Sequence, residues 1–292
     1  MTRKMHAREI ETDAALVRNL LVAAFPHWAG LPIHPVPSSG TVNALYRLGA
    51  HMVARLPRTD WATGAIDRQE RWLPVLAPAL PVAVPRLLAR GDPALGYPFE
   101  WGVYSWLPGR TFVAGELADE VGLARSLAAL VLALWKIEPF GGPPQRRGDL
   151  RGWDKPARDA IDALEGLLDG RALRAAWEES LAAETWSGAP RWVHADLMPA
   201  NLLLESGLLS GVIDWEAAGV GDPALDLAVA WNALSAHARE VFRALVDVDE
   251  PTWIRGRGWA LCTGLVALPY YIASNPELAA NARFRITQVL DC

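Results

Sequence analysis

Apolar residues recur at helical spacing over residues 8–24, at Ile10, Leu16, Leu20, Leu21 and Ala24, and the pattern stops at Pro26. Two alternating segments follow, Ala44–Leu48 and His51–Leu56, with Gly49-Ala50 between them, which predicts a hairpin. A helix is expected from about Ala65 to Ala77, before the proline-rich LAPALPVAVPRLL, and then a strand over Phe99–Trp106 that ends at Pro108-Gly109. Beyond this point the pattern turns helical. Asp119–Ile137 is strongly apolar, residues 154–169 and 171–185 are amphipathic, residues 192–215 interrupt as a second hairpin, and helices resume from about Ala224. A β-rich segment followed by a helix-rich one predicts an α+β fold. Its boundary near Leu107–Gly109 gives an N-terminal lobe of residues 1–107 and a helical C-terminal lobe of residues 108–292.

Composition narrows the class. Hydrophobic residues make up 51% of the chain and charged residues 21%, which excludes a disordered protein. A net charge of −5 argues against a nucleic-acid partner and suits cationic substrates somewhat better. The two cysteines, Cys262 and Cys292, are too few for a disulfide scaffold or a cysteine-based zinc site. The uncharged run from Trp259 to Pro276 contains Thr263, Gly264, Pro269, Ser274 and Asn275, and reads as a buried helix, not a membrane span. The N-terminal MTRKMHAREIETD has no apolar signal core. These features lead us to expect a reduced, cytoplasmic protein, monomeric or homodimeric, with no membrane partner.

The candidate chemistry is concentrated between Trp192 and Trp231. His194, Asp196, Asn201 and Asp214 fall within 21 residues around the second hairpin. A two-residue turn at Ser206-Gly207 pairs Glu205 with Leu208 and sets Asn201 opposite Val212, so that Asn201 and Asp214 share a face. A bulge would break that parity. Two oxygen donors at this spacing suit Mg²⁺, which takes few protein ligands and completes its shell with water and phosphate. Asp196, on the loop just before the hairpin, is placed to accept the proton of an attacking hydroxyl. One such residue alone usually just satisfies backbone groups; four in this order point to catalysis.

HADLMPAN resembles the catalytic loop of the kinase superfamily, and IDWE stands where that superfamily carries its metal-binding D-F-G. The pattern is most similar to the aminoglycoside phosphotransferase and choline kinase-like group, with H-G-D-x-x-x-x-N followed by I-D-[WF]. GVGDPALDLA matches that group's next segment. The resemblance implies a bilobal protein-kinase-like fold, with a small β-rich N-lobe and a larger, mainly helical C-lobe. It implies Asp196 as catalytic base, His194 as the loop's brace, Asn201 and Asp214 as Mg²⁺ ligands, and Asp222 and Asp226 as structural acids. Ala195 stands where glycine is common and requires backbone angles that a Cβ tolerates; Trp215 stands for phenylalanine.

The nucleotide half follows from the same resemblance, with ATP or GTP as donor. HMVARLPR places Arg55 inside a strand, where protein kinases use a lysine, and Glu70 follows in the next helix as its expected partner. Ser38–Asn43 (SSGTVN) supplies one glycine with flanking hydroxyls and an amide, so Ser39, Gly40, Thr41 and Asn43 are candidate phosphate ligands. Ser105, Trp106 and Leu107 resemble the hinge that meets adenine, and Trp106 either lines that pocket or packs.

The acceptor pocket, by resemblance, draws on residues 140–190 and 230–292. Glu216 and Asp154 are the candidate acceptor ligands among several acids there, including Asp149, Asp159, Asp162 and Asp291. The fourteen tryptophans either stack on a substrate or pack the core, packing being favoured. The leading expectation is a small-molecule O-phosphotransferase acting on an aminoglycoside-type antibiotic. A kinase of choline, homoserine or a sugar is the alternative. A catalytically silent nucleotide-binding regulator and a metal-dependent hydrolase are further readings, the first opposed by intact Asp196, Asn201 and Asp214, the second by too few ligands.

Overall fold

Residues 9–37, 42–60 and 64–291 are described in the computed structural model. The chain divides into two compact units, residues 1–78 with 83–108, and residues 79–82 with 109–292.

The first unit carries a five-stranded antiparallel sheet in the order β1-β2-β3-β5-β4, with β1 Ile33–Pro35, β2 Asn43–Leu48, β3 Met52–Pro57, β4 Leu87–Gly91 and β5 Trp101–Ser105. The expected hairpin is β2–β3, in register from Asn43 opposite Pro57 to Leu48 opposite Met52. Sequence patterning missed β1 and β4. Both are edge strands and both lie in proline-rich segments, where a missing N–H is tolerated because one side of the strand needs no partner. Helix α1, Ala14–Ala24, begins later than its apolar spacing suggested, because the Asp13 side chain caps it by accepting from the Leu16 N–H at 2.7 Å. Its buried face, Val17, Leu20 and Leu21, forms one core with Leu48, Leu56, Trp101 and Val103. Helix α2, Ala65–Leu76, follows Gly64, whose φ of 75° a glycine adopts freely.

The second unit is mainly helical: α3 Glu120–Lys136, α4 Asp154–Ala163, α5 Gly170–Ala182, α6 Ala224–Leu227, α7 Val229–Ala233, α8 Ala236–Val246, α9 Glu250–Tyr271 and α10 Pro276–Leu290. Two small ladders interrupt the helices, β6 Arg191–Val193 with β9 Gly219–Gly221, and β7 Leu202–Glu205 with β8 Leu208–Val212. Trp177, Trp192, Trp231 and Trp259 are fully buried packing residues. The uncharged run lies mostly in α9, whose Trp259, Leu261, Cys262, Leu265 and Leu268 are buried. Among the described residues, no helix is long and apolar enough to cross a membrane. The sheet lobe and the helical lobe together make a protein-kinase-like fold, 49% helical.

Candidate active site

Strand β6 delivers the chain to His194, and several backbone groups of the loop from His194 to Asn201 are held by hydrogen bonds. Asp226 of α6 is fully buried, and its carboxylate accepts from the His194 N–H at 2.8 Å and the Ala195 N–H at 2.7 Å. Burial raises its pKa to about 7, even though both N–H donors favour the ionised form. The carbonyls of Ala195, Asp196 and Leu197 accept in turn from Arg147 Nε at 2.8 Å, Asn201 Nδ2 at 2.9 Å and Asn232 Nδ2 at 3.0 Å. The Asn201 N–H closes a tight turn onto Met198 O at 2.8 Å.

His194 is fully buried. Its Nδ1 accepts from the Asp196 N–H at 3.2 Å while its Nε2 lies 3.1 Å from the Ile213 carbonyl. An acceptor on one nitrogen and a donor on the other fit only the neutral ring protonated at Nε2. Burial lowers its pKa, which favours that form. The ring meets Trp215 edge-on at 4.6 Å, and the indole N–H donates to Val212 O at 2.9 Å, a bond phenylalanine could not make. The imidazole thereby ties the loop that carries Asp196 to the strand end that carries Asp214.

The Asp196 carboxylate is half-exposed and held from both sides. One oxygen pairs with the Arg147 guanidinium; the other accepts from Asn201 Nδ2 at 3.1 Å. Because both Asn201 bonds to Asp196 use Nδ2, the amide oxygen is turned away and left as the open acceptor. That amide oxygen and the Asp214 carboxylate are both oxygen donors, the type of ligand a hard divalent ion takes. Among the described residues no group of three or more His, Cys, Asp and Glu side chains is placed to hold a metal by itself.

Two backbone expectations need correction. The β7–β8 hairpin keeps Glu205 opposite Leu208, but its register shifts between Leu203 and Leu204, leaving Ser210 as an extra residue. Leu202, not Asn201, lies opposite Val212, and the Ile213 N–H donates to Asn201 O at 2.9 Å. Strand parity thus does not set Asn201 and Asp214 on one face. Asn201 sits in a 3-10 turn over Pro199–Asn201, and Asp214 leaves the strand in the left-handed region with a φ of 64°. Ala195 also has a φ of 64°, so its Cβ is not tolerated without strain. Ala195→Gly is expected to stabilise the protein by about 0.5–1 kcal/mol, read from urea unfolding, because strain relief exceeds the added freedom of the unfolded chain. An unchanged or lower midpoint would mean the loop carries no such strain.

The other predicted residues distribute as follows. Asp154 accepts from Trp177 Nε1 at 2.9 Å and from Arg158 Nε at 2.7 Å, and the Trp177 bond, more than Arg158, holds its pKa down. The Trp177 bond joins α4 to α5. Glu216 lies just past Trp215, beside the Arg146–Ala217 backbone bond. Asp222 accepts from the Ala224 N–H at 3.0 Å and pairs with Arg255 at 2.7 Å. In the first unit, Arg55 occupies the central strand, opposite Leu45 and Gly102, and Asn43 starts β2 opposite Pro57. Glu70 lies 3.5 Å from Arg90, which also holds Asp67 and Glu100. At the expected hinge, the Ser105 and Trp106 N–H groups are taken by Arg86 O at 2.9 Å and His51 O at 2.8 Å. The Arg47 guanidinium covers the Trp106 ring at 3.9 Å. Leu107 keeps the segment's one open N–H among the described residues. Ser39, Gly40 and Thr41 lie outside the described residues.

Arg147 is the partner of Asp196 that sequence reading missed. It lies in a glycine- and arginine-containing loop (QRRGD) with no period or motif to mark it, and only the folded chain carries it 49 positions along to Asp196.

A model of the phosphotransferase enzyme family matches residues 34–259. The homoserine kinase of Beijerinckia indica subsp. indica is 30% identical over 193 residues, 62% of this chain and 56% of that protein. The homoserine kinase of Methylocella silvestris is 32% identical over 120 residues, 40% of this chain and 36% of that protein. The matches therefore span about half and about a third of these relatives' lengths. Among solved structures, aminoglycoside 2'-phosphotransferase-IIIa in its GDP complex superposes with a TM-score of 0.75 at 16% identity, covering 96% of this chain and 99% of that one. Macrolide 2'-phosphotransferase MphH from Brachybacterium faecium gives a TM-score of 0.60 at 26% identity, covering 92% and 96%. With the catalytic-loop geometry above and a family match over more than three quarters of its length, the chain belongs to the APH phosphotransferase enzyme family.

Proposed function

We propose that the protein transfers the γ-phosphoryl group of ATP or GTP to a hydroxyl of a small molecule. The observation that carries this reading is the Asp196 carboxylate, fixed between Arg147 and Asn201 on a loop whose backbone groups are satisfied by Asp226, Asn232 and a neutral His194. Asp196 takes the proton of the acceptor hydroxyl as the oxygen bonds to the γ-phosphorus and the bond to the β-phosphate oxygen breaks. Asn201 and Asp214 are the residues that would hold Mg²⁺, which when bound neutralises charge on the phosphates. Arg55 is the proposed cation for the α- and β-phosphates, with Ser39, Gly40, Thr41 and Asn43 as phosphate ligands and Leu107 as the adenine contact.

Two acceptor classes have support. An aminoglycoside-type antibiotic is supported by structural neighbours that include kanamycin, gentamicin and streptomycin complexes of aminoglycoside phosphotransferases. A hydroxylated metabolite is supported by the homoserine kinases among the sequence relatives. The test is nucleotide consumption with Mg²⁺ across both classes, with the product's mass showing one added phosphoryl group. Mg·ATP binding without any phosphorylated product would favour the silent nucleotide-binding module instead.

A further inference from the structure

Arg147 grips the loop at two points and is itself tied down through its backbone. Its Nε donates to Ala195 O at 2.8 Å and its Nη2 to an Asp196 carboxylate oxygen, so one guanidinium holds both the loop backbone and the proposed base. Its N–H donates to Gln145 Oε1 at 2.5 Å, and its carbonyl accepts from Trp153 Nε1 at 2.8 Å. Gln145 closes the turn around it: Oε1 also accepts from the Gly148 N–H at 3.1 Å, and Nε2 donates to Gly148 O at 2.7 Å.

This turn is anchored to the strand pair that leads into the catalytic loop. The Val220 N–H donates to Pro143 O at 2.8 Å, the Gln145 N–H to Val220 O at 3.2 Å and the Arg146 N–H to Ala217 O at 3.2 Å. Pro144 thus lies beside Val220 as a short parallel bridge on β9, and β9 pairs with β6, which runs directly into His194. Two glycines of β9 permit the approach. A Cβ on Gly219 would lie 2.6 Å from Gln145 N and Pro143 O, and one on Gly221 would lie 2.7 Å from Gln145 Cγ. Arg147 and Asp196 therefore leave the same small platform, one from each side of β9.

Stability does not account for so much construction. The paired side chains of Arg147 and Asp196 are 26% and 29% exposed, a setting in which an ion pair stabilises little. Its geometry matters more. Asn201 Nδ2 holds the second Asp196 oxygen at 3.1 Å, so each oxygen has one fixed donor and keeps a lone pair for a hydroxyl. A carboxylate working beside a nucleotide must also face negative phosphates, and an adjacent guanidinium offsets that repulsion. Phosphoryl transfer draws chiefly on placement and charge neutralisation, so a cation next to the base serves it.

We infer that Arg147 is a positioning residue for phosphoryl transfer, fixing the direction of the Asp196 carboxylate and screening it from the nucleotide phosphates. This rests on the phosphotransferase reading and deepens it. Arg147 acts through Asp196: the proton of the acceptor hydroxyl goes to the carboxylate, and the guanidinium exchanges none.

The test uses the full-length enzyme with Mg·ATP and three acceptors: homoserine, kanamycin and water, the last read as slow nucleotide hydrolysis. With whichever acceptor the wild type uses, Arg147→Ala is expected to lower kcat about tenfold to a hundredfold, with little change in KM or nucleotide Kd. Arg147→Lys should recover part of the loss, since an ammonium reaches the carboxylate but lacks the planar fork that also grips Ala195 O. Added guanidinium ion, at concentrations that leave the melting temperature unchanged, should restore kcat of Arg147→Ala saturably. It should not accelerate the wild type or an Arg147→Ala/Asp196→Ala double variant. A wild-type kcat in Arg147→Ala, or a loss confined to KM, overturns the role. A lowered melting temperature with no rescue by guanidinium also overturns it, because Arg147 would then serve the fold alone. No transfer by the wild type to any of the three acceptors overturns the phosphotransferase reading and the role with it.

Discussion

Asp196→Ala is expected to lower turnover about a thousandfold while nucleotide affinity stays close to wild type. The carboxylate is the one group on the loop positioned to take a hydroxyl proton, since His194 is buried, neutral and engaged at both nitrogens. Losing the Arg147–Asp196 pair itself should cost little stability, because both side chains are more than a quarter exposed and solvent screens them. The expected signature is thus a large fall in kcat with a nearly unchanged melting temperature and nucleotide Kd. Turnover at the wild-type rate would remove Asp196 from the mechanism. Asp196→Asn sharpens the comparison: it keeps one oxygen for Arg147 but cannot accept the proton, so it should be as slow as alanine.

The second large effect is expected at Asp226, which touches none of the reacting groups. Asp226→Asn replaces one acceptor oxygen by an NH₂ facing a backbone N–H, either of His194 or of Ala195. A buried donor is then left unsatisfied and two donors oppose each other, at a cost of about 2 kcal/mol. The corresponding fall in Tm is roughly 4–8 °C. Because these bonds set the path of the chain into Asp196, the base should also move, and a displacement of ~1 Å costs about a hundredfold in rate. Both readings must change together. A variant with wild-type turnover and a lowered Tm would show that Asp226 serves the fold and not the position of the base. A wild-type Tm would show that the carboxylate is not needed as a double acceptor.

How far these residues were legible varied with the kind of signal. His194, Asp196, Asn201 and Asp214 sit in one short motif whose spacing states their order along the loop, so the sequence was enough to single them out. The hairpin around them was legible too, including its Ser206-Gly207 turn with Glu205 opposite Leu208. Its bulge was not, because Ser210 carries no signal that distinguishes an extra residue from a paired one; a one-residue slip then reversed the parity argument for Asn201. The edge strands β1 and β4 were hidden by proline, which sequence patterning treats as a breaker and an edge tolerates. Ala195 stood out as a departure from glycine, yet only backbone geometry revealed that it sits at a φ of 64°.

Charge was the least legible property. Asp154, chosen from sequence as an acceptor ligand, is matched by Trp177 and Arg158, while Arg147 drew no attention at all. Periodicity reports which residues face a core, and a motif reports residues close in sequence. Neither reports which charges meet across 49 positions. The sequence by itself thus determined the fold class, the order of sheet lobe and helical lobe, and the catalytic motif, because each is written in local spacing. Tertiary structure alone decided how the loop is held by Asp226 and how Asp196 is held by Arg147, because those depend on long-range packing that no local pattern encodes.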